Sequence, residues 1–353
     1  MKKLVMIVSA LCAAGSLFAY NPPAGGQNYQ RLSSPTILTS ANSVAGGAIL
    51  DVIPSSVVNN PALPAFEQRI TLDLGGTLLL DSDDADGSVG SAFQLGASLP
   101  TRWAVPTFLV QGIFAPLIDM HLGNNVSFTA TISKDINDKV SVGLSATGGA
   151  FWNDDSSDWT IAANTGVYYN HGELFFLKDV RFGVTLMNLG KMYSDAEVLG
   201  IKGKLADKWP GIATPRAGVA ASLVNTGDFK LGISTDAAAP GFQDFVFDLG
   251  LGLEYSGLQF ATFKLASAWE FDLNEFKEDS KNLIPAIGLS VKFNFSAKNE
   301  AMASRGWDES EITVSGAWHK MYENVNAISA GAVVKLGQQD TDPPVITLWE
   351  GEN

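Results

Sequence analysis

Residues 124–147 carry the pattern that most narrows what this chain can become. Val126, Phe128, Ala130 and Ile132 alternate with Ser127, Thr129, Thr131 and Ser133. Asp135-Ile136-Asn137-Asp138 supplies a short polar turn, after which Val140, Val142, Leu144 and Ala146 alternate with Ser141, Gly143, Ser145 and Thr147. Side chains of a strand point to opposite faces with period 2, so this is a hairpin with one apolar and one polar face. The alternation recurs to the end of the chain. Behind an export signal, that repetition predicts an all-β fold, a closed antiparallel barrel with apolar side chains toward lipid and polar ones toward a lumen.

The first 19 residues read as a secretory signal peptide: Lys2 and Lys3, an apolar core from Leu4 to Leu17, and Ala19 before a cut at Tyr20, with a bulky Leu17 at the minus-three position. The core is shorter than the ~20 residues that span a bilayer. Cys12 is the only cysteine of the 353 residues and lies inside the signal, preceded by Leu11 where a lipidated cysteine needs a small residue. Disulfides and cysteine metal sites are therefore excluded for the mature chain. Past the signal no apolar run reaches ~18 residues, so no transmembrane helix is expected. Yet 46% of residues are hydrophobic and only 17% charged, against ~25% charged in ordinary soluble domains. A barrel with a lipid-facing surface produces that combination. A net charge of -14 argues against nucleic acid as a partner.

Four regions follow: the signal at 1–19, a segment rich in Gly, Pro, Asn and Ser at 20–66, a barrel at 67–337 and a polar tail at 338–353 whose Asp342-Pro343-Pro344 is too proline-rich for a central strand. Within the barrel, alternation predicts about 14 strands, at 68–80, 88–99, 103–114, 124–134, 139–151, 157–170, 179–189, 215–225, 228–237, 244–256, 258–271, 283–297, 309–321 and 325–337. Each suffices for the ~9–11 residues of a tilted membrane strand. In the tenth, Phe245, Phe247, Leu249, Leu251, Leu253 and Tyr255 oppose Asp248, Gly250, Gly252 and Glu254. In the twelfth, Leu283, Ile287, Leu289, Val291, Phe293 and Phe295 oppose Ser290, Lys292 and Asn294. With the amino terminus in the periplasm, long connections fall outside and short ones inside, apart from a long inner link at 298–308 and a short outer one at 322–324.

Catalytic chemistry has little to work with. The histidines are His121, His171 and His319, and His319 shares a strand face with Ser315 and Thr313, but no orienting acid or oxyanion donor accompanies them. The chain is read as no enzyme and as needing no cofactor. Asp81, Asp83, Asp84 and Asp86, and Asp154, Asp155 and Asp158, match no calcium-loop spacing and read as solvated outer loops. In Val57–Ala65, Pro61 and Pro64 bar a regular strand and Asn60 can cap a local turn. That leaves an ordinary pre-strand loop or a compact plug in the barrel mouth. Pro106, with Gly112 after it, reads as a displaced strand boundary or as a kink that opens a gap in the wall.

At these residues the chain resembles the FadL-like superfamily of outer-membrane long-chain fatty-acid transporters, nearest a spirochaetal branch and the related PorV-type barrels. Asn60-Pro61-Ala62 resembles the signature of the family's amino-terminal plug, and Asp138-Lys139-Val140-Ser141-Val142-Gly143 its recurrent turn-into-strand motif. Gly183–Gly190 is similar to a strand that ends on Asn188-Leu189-Gly190, and Thr214–Val219 and Gly252–Tyr255 fit further strand motifs. The resemblance implies a 14-strand barrel with an N-terminal plug, set in the outer membrane. It implies passive uptake of hydrophobic compounds, most of all long-chain fatty acids, with lateral exit at a kinked third strand, here Pro106 and Gly112. Arg181, Lys292 and Asn294 are the candidates to hold a carboxylate in the lumen. Ser329, Gly331, Val334 and Leu336 resemble the insertion signal read by the barrel-assembly machinery. Membrane lipid and the ligand are the expected partners. A PorV-like role in binding secreted or lipidated partners at the outer membrane is the alternative, favoured by the short outer loops and the tail. A water-filled porin is a third, opposed by the plug.

Overall fold

A computed structural model describes residues 29–39, 43–81, 88–115, 123–152, 157–191, 213–239, 245–258, 261–272, 284–296, 309–321 and 325–337. The expected signal peptide at 1–19 and polar tail at 338–353 lie outside the described residues. Fourteen strands, each hydrogen-bonded to its sequence neighbours, close into one antiparallel barrel as β1 meets β14. They are β1 (Ile70–Asp81), β2 (Val89–Ser98), β3 (Val105–Ala115), β4 (Gly123–Asn137), β5 (Val140–Trp152), β6 (Ser157–Leu174) and β7 (Leu177–Lys191), then β8 (Thr214–Asn225), β9 (Phe229–Ala238), β10 (Val246–Tyr255), β11 (Ala261–Asp272), β12 (Ala286–Ser296), β13 (Glu309–Met321) and β14 (Val325–Leu336). The seam runs unbroken from Ile70↔Leu336 to Asp81↔Val325.

Burial is inverted relative to a water-soluble protein. On β1, Thr71, Asp73 and Thr77 are buried while Leu72, Leu74 and Leu78 are exposed. Gln94, Gln111, Ser127, Thr129 and Asp248 are likewise buried, and Leu95, Phe108, Phe128, Ile132, Leu144, Val184 and Leu289 are exposed. Covering one such side chain with apolar surroundings is worth about 1.5–3 kcal/mol, so this outer surface is stable in hydrocarbon and not in water. No helix among the described residues is long and apolar enough to cross a membrane; the strands present the apolar band.

Three strands depart from the expected lengths. β4 continues to Asn137, and the inner connection expected at 171–178 shrinks to Phe175-Phe176 because Leu174 pairs with Leu177. Gly183–Gly190 closes β7 as expected, one residue before its end at Lys191. Its Asn-Leu-Gly also marks a bulge: the register shifts between Ala163↔Leu189 and Thr165↔Leu186. Asn188 adopts a left-handed φ of 60°. Its N–H donates to Asn164 Oδ1 at 2.7 Å, and Asn164 Nδ2 donates to Ser145 Oγ at 3.0 Å. Side-chain amides thus replace the ladder bond that a bulge removes. The links at 298–308 and 322–324 lie outside the described residues.

An arginine at Leu95, on the outward face of β2, should cost about 2–4 kcal/mol if the position lies near the bilayer midplane. Urea titration of the reconstituted barrel, followed by its heat-dependent gel migration, measures that loss.

Candidate functional site: an occupied lumen

Residues 29–39 and 43–69 fill the barrel interior. They form a short helix α1 (Pro35–Thr39) and 3₁₀ turns at Tyr29–Arg31, Pro54–Val58 and Leu63–Phe66. Prolines open three of these turns, where a missing N–H costs nothing.

Asn60 is the most tightly held residue of the segment. It is fully buried, and its Nδ2 donates to the carbonyls of Val44 at 2.8 Å and Val167 at 3.1 Å. Its Oδ1 accepts the Ala62 N–H at 2.9 Å. The next two carbonyls turn to the wall: Ser133 Oγ donates to that of Pro61 at 2.7 Å and Ser141 Oγ to that of Ala62 at 2.9 Å. Asn60, Pro61 and Ala62 are therefore hydrogen-bonded to β4, β5 and β6.

Glycine makes that contact possible. Gly143 and Gly166 pair directly across β5 and β6. A Cβ built on Gly143 would lie 2.1 Å from the Pro61 oxygen, and one on Gly166 2.0 Å from Asn60 Oδ1. Two further cross-strand pairs, Gly75↔Gly331 and Gly232↔Gly252, repeat the device. A Cβ on Gly75 would lie 2.5 Å from the Ser33 oxygen, and one on Gly232 1.9 Å from that of Ala48. Gly183, which faces Gly218, receives the Val44 oxygen in the same way, 2.1 Å from where a Cβ would lie, so the segment is seated at several places around the wall, each a gap that any side chain would fill.

Among the described residues, its ion pairs to the wall lie on one side. Lys264 and Lys335 meet Asp51 at 2.7 and 2.9 Å. From there the chain runs through Glu67–Lys335 at 3.1 Å, Arg69–Glu67 at 2.8 Å, Arg69–Glu311 at 3.0 Å and Lys292–Glu311 at 3.5 Å. It links the segment to β11, β12, β13 and β14 near the short-turn end. Burial alone would push the Asp51 carboxyl up, but the two ammonium groups outweigh it and hold the carboxyl well below the usual range. Burial is likewise outweighed at Glu67, by Arg69 and Lys335. A second cluster lies toward the other end, where Arg31 meets Glu270 at 3.2 Å and Arg216 meets Asp236 at 2.8 Å and also Asp248. Asp236 also accepts Ser43 Oγ at 2.9 Å and the Val44 N–H at 2.7 Å.

Apolar packing caps the segment toward the long-loop end. Leu79, Ala92, Ile113, Phe151, Ala317, Val325 and Ala327, all inward-facing, form one buried cluster with Leu32 and Leu38. The free space is small: a cavity of about 40 Å³ between α1, Asp51, Asn59, Lys264 and Ser290, room for roughly one water molecule.

The remaining sequence candidates are scattered. Arg181 is buried on β7, its Nη2 donating to the Gly47 carbonyl at 2.9 Å. Lys292 faces Glu311, and Asn294 is exposed near the end of β12. β7 and β12 are not neighbours, so the three are not brought together. Pro106 is the second residue of β3, and its carbonyl accepts the Leu99 N–H at 2.9 Å. β3 keeps continuous register with β4 from Val105↔Ser133 to Ala115↔Gly123, and with β2 from Ser98↔Thr107 to Ser91↔Phe114. Gly112 makes room for the outward Phe93 ring, which a Cβ would approach to 2.3 Å. A lateral route at β3 requires these pairs to part. His319 is buried on the inward face of β13; His121, Leu283, Asp83, Asp84, Asp86, Asp154 and Asp155 lie outside the described residues. Asp51 and the glycine seats were not among the sequence candidates, although glycines spaced on the inward face of alternating strands were there to be noticed.

No protein-family model matches the chain, and no curated protein does. Solved structures match over most of their length. The TodX monoaromatic hydrocarbon channel, a deltaS2 mutant of the Pseudomonas putida protein, aligns at 8% identity over 85% of this chain and 99% of that one, with a TM-score of 0.53. The CymD monoaromatic hydrocarbon channel aligns at 12% identity over 87% and 99%, with a TM-score of 0.50. A Pseudomonas aeruginosa FadL homologue aligns at 13% identity over 86% and 97%, with a TM-score of 0.47. At such identities the likeness concerns the fold alone: this chain shares the barrel fold of the TodX and CymD channels.

Alanine at Gly143 or Gly166 should unseat the segment at a cost of about 1–3 kcal/mol, as overpacking does, and raise planar-bilayer conductance while heat-dependent migration persists. Alanine at Gly76 or Gly316, where the nearest atoms lie 3.7 and 3.8 Å from a Cβ, should change neither.

The Asp51 ties should be indifferent to pH between 8 and 5. A carboxyl lowered in the folded state stabilises above its unfolded value, near 4, and loses that stabilisation only as pH falls through the lowered one. Conductance should therefore stay low over that interval and rise only in stronger acid. Asp51→Asn, which deprives two lysines of a partner, should weaken the seat by about 3 kcal/mol at pH 7 and raise conductance there.

Proposed function

We propose that this chain is an outer-membrane channel for hydrophobic small molecules, with residues 29–66 acting as its plug. The observation that carries the reading is the inward apolar cluster at the long-loop end, where Leu79, Ile113, Phe151 and Val325 pack on Leu32 and Leu38. Polar groups normally line the interior of an aqueous barrel; aliphatic and aromatic walls there favour solutes that leave water readily.

Passage needs the plug to shift, because a ligand site of about 300–1,000 Å³ far exceeds the cavity of about 40 Å³. The ties that would break are hydrogen bonds, ion pairs and van der Waals seats, each worth about a kilocalorie or a few. Insertion by the barrel-assembly machinery through β14 completes the outer-membrane reading. The hydrocarbon channels TodX and CymD share the fold and support an apolar cargo. Among such cargoes we assign long-chain fatty acids, on the motifs around Asn60.

Uptake of tritiated oleate by a host lacking its own transporter tests this. Expression should raise uptake above empty vector. Leu79→Asp or Ile113→Asp should lower it on the order of tenfold, the factor that corresponds to 1.4 kcal/mol. Uptake equal to empty vector would reject fatty acid as the cargo.

A further inference from the structure

The turns at the two sides of the short-turn end differ in chemistry. The β2–β3 turn carries Trp103, 64% exposed, with the Arg102 guanidinium 4.7 Å above its ring. At the β4–β5 turn, the end of β4 carries Ile136, 59% exposed, which prolongs the outward file of Phe128 and Ile132. The β6–β7 turn carries Phe175 and Phe176, 95% and 71% exposed. Phe175 holds a left-handed φ of 55°, a conformation bulky residues avoid and one that a glycine or asparagine would adopt more readily. By contrast, the β8–β9 turn is Thr226-Gly227-Asp228, with Thr226 and Ser256 hydrogen-bonded to turn carbonyls.

The aromatic tip is continuous with the lipid-facing surface. Just above it, Tyr169 and Phe182 stack at 6.2 Å and His171 stands edge-on to Phe182 at 6.5 Å. Rings with one polar edge at the end of an apolar band are the usual mark of the membrane–water interface. The charged residues around these turns balance: Arg102, Lys134, Lys139 and Lys178 against Asp135, Asp138, Glu173 and Asp179. Attraction to anionic lipid therefore has no net charge to act on, and burial of Trp103, Ile136, Phe175 and Phe176 is what remains to drive contact.

We propose that the β2–β3, β4–β5 and β6–β7 turns are embedded in the phospholipid headgroup layer at that end, while the β8–β9 turn stands in water, so that the barrel leans toward β2–β7. The proposal rests on the outer-membrane reading. The membrane partner is the lipid surface itself.

The mature chain has no cysteine by sequence, so nitroxide labels at single cysteines report each position. Labels at Ile136, Phe176, Asp228 and Leu95 are compared in phosphatidylcholine vesicles by their accessibility to oxygen, which concentrates in lipid, and to a water-soluble nickel chelate. Leu95, in the apolar band, checks that the barrel is in the bilayer. Oxygen should dominate at Ile136 and Phe176, and the nickel chelate at Asp228. Adding phosphatidylglycerol should leave the pattern unchanged. If Leu95 is lipid-exposed but Ile136 and Phe176 meet the chelate as readily as Asp228, or are shielded from both reagents, the proposal falls and the channel reading stands. If Leu95 itself meets the chelate, the membrane reading falls with it.

Discussion

Hydrogen bonding of the main chain at the β1–β14 seam is the constraint on which the rest of this structure depends. In hydrocarbon an unpaired N–H or C=O costs several kilocalories, and only a sheet closed on itself leaves none. Ile70↔Leu336 to Asp81↔Val325 meets that demand without a break. Once the wall is closed, its inward face is a fixed surface, and what the lumen holds must fit a cylinder that cannot yield. Glycine at facing positions is the simplest way to let a second layer of chain approach such a wall, and hence backbone of residues 29–66 meets glycine at several separate places.

Two kinds of tie hold that inner layer. Steric seats and hydrogen bonds hold it around the wall, with Asn60 and the Gly143–Gly166 pair on the β1–β7 side and the Gly232–Gly252 pair on the other. Ion pairs join it to the β8–β14 side through Asp51 and Arg31. The first kind depends on shape and is insensitive to solution conditions. The second depends on partly buried charges, which salt screens only weakly and acid removes. A segment held in this way has its shape-dependent grip around the barrel and its ion pairs on one half only, among the described residues.

The strands were legible in the sequence because lipid on one side and polar lumen on the other force a strict alternation. All fourteen expected spans have their counterparts, displaced by a few residues at most ends. Where the reading fell short, alternation had stopped carrying information. Phe175-Phe176 looked like part of a longer connection because a turn and a strand end share no period. Asn188-Leu189-Gly190 was legible as the close of a strand, but the bulge it also makes was not, because the Asn164 amide that accepts the Asn188 N–H lies 24 positions away. The ion chain through Asp51 was invisible for another reason: its members are separated by up to 284 positions, and only closure of the sheet brings them together. Asn60-Pro61-Ala62 was readable as a unit since its chemistry is local.

One seat, Gly75 with Gly331, lies across the seam itself, with one glycine contributed by the first strand and the other by the last. Half of that notch is missing until the two ends of the sheet have met. Ser33 and Pro35 can settle fully there only after the cylinder has been zipped shut. A barrel with its terminal strands out of register would keep the seats on β5–β6 and β9–β10 but lose this one.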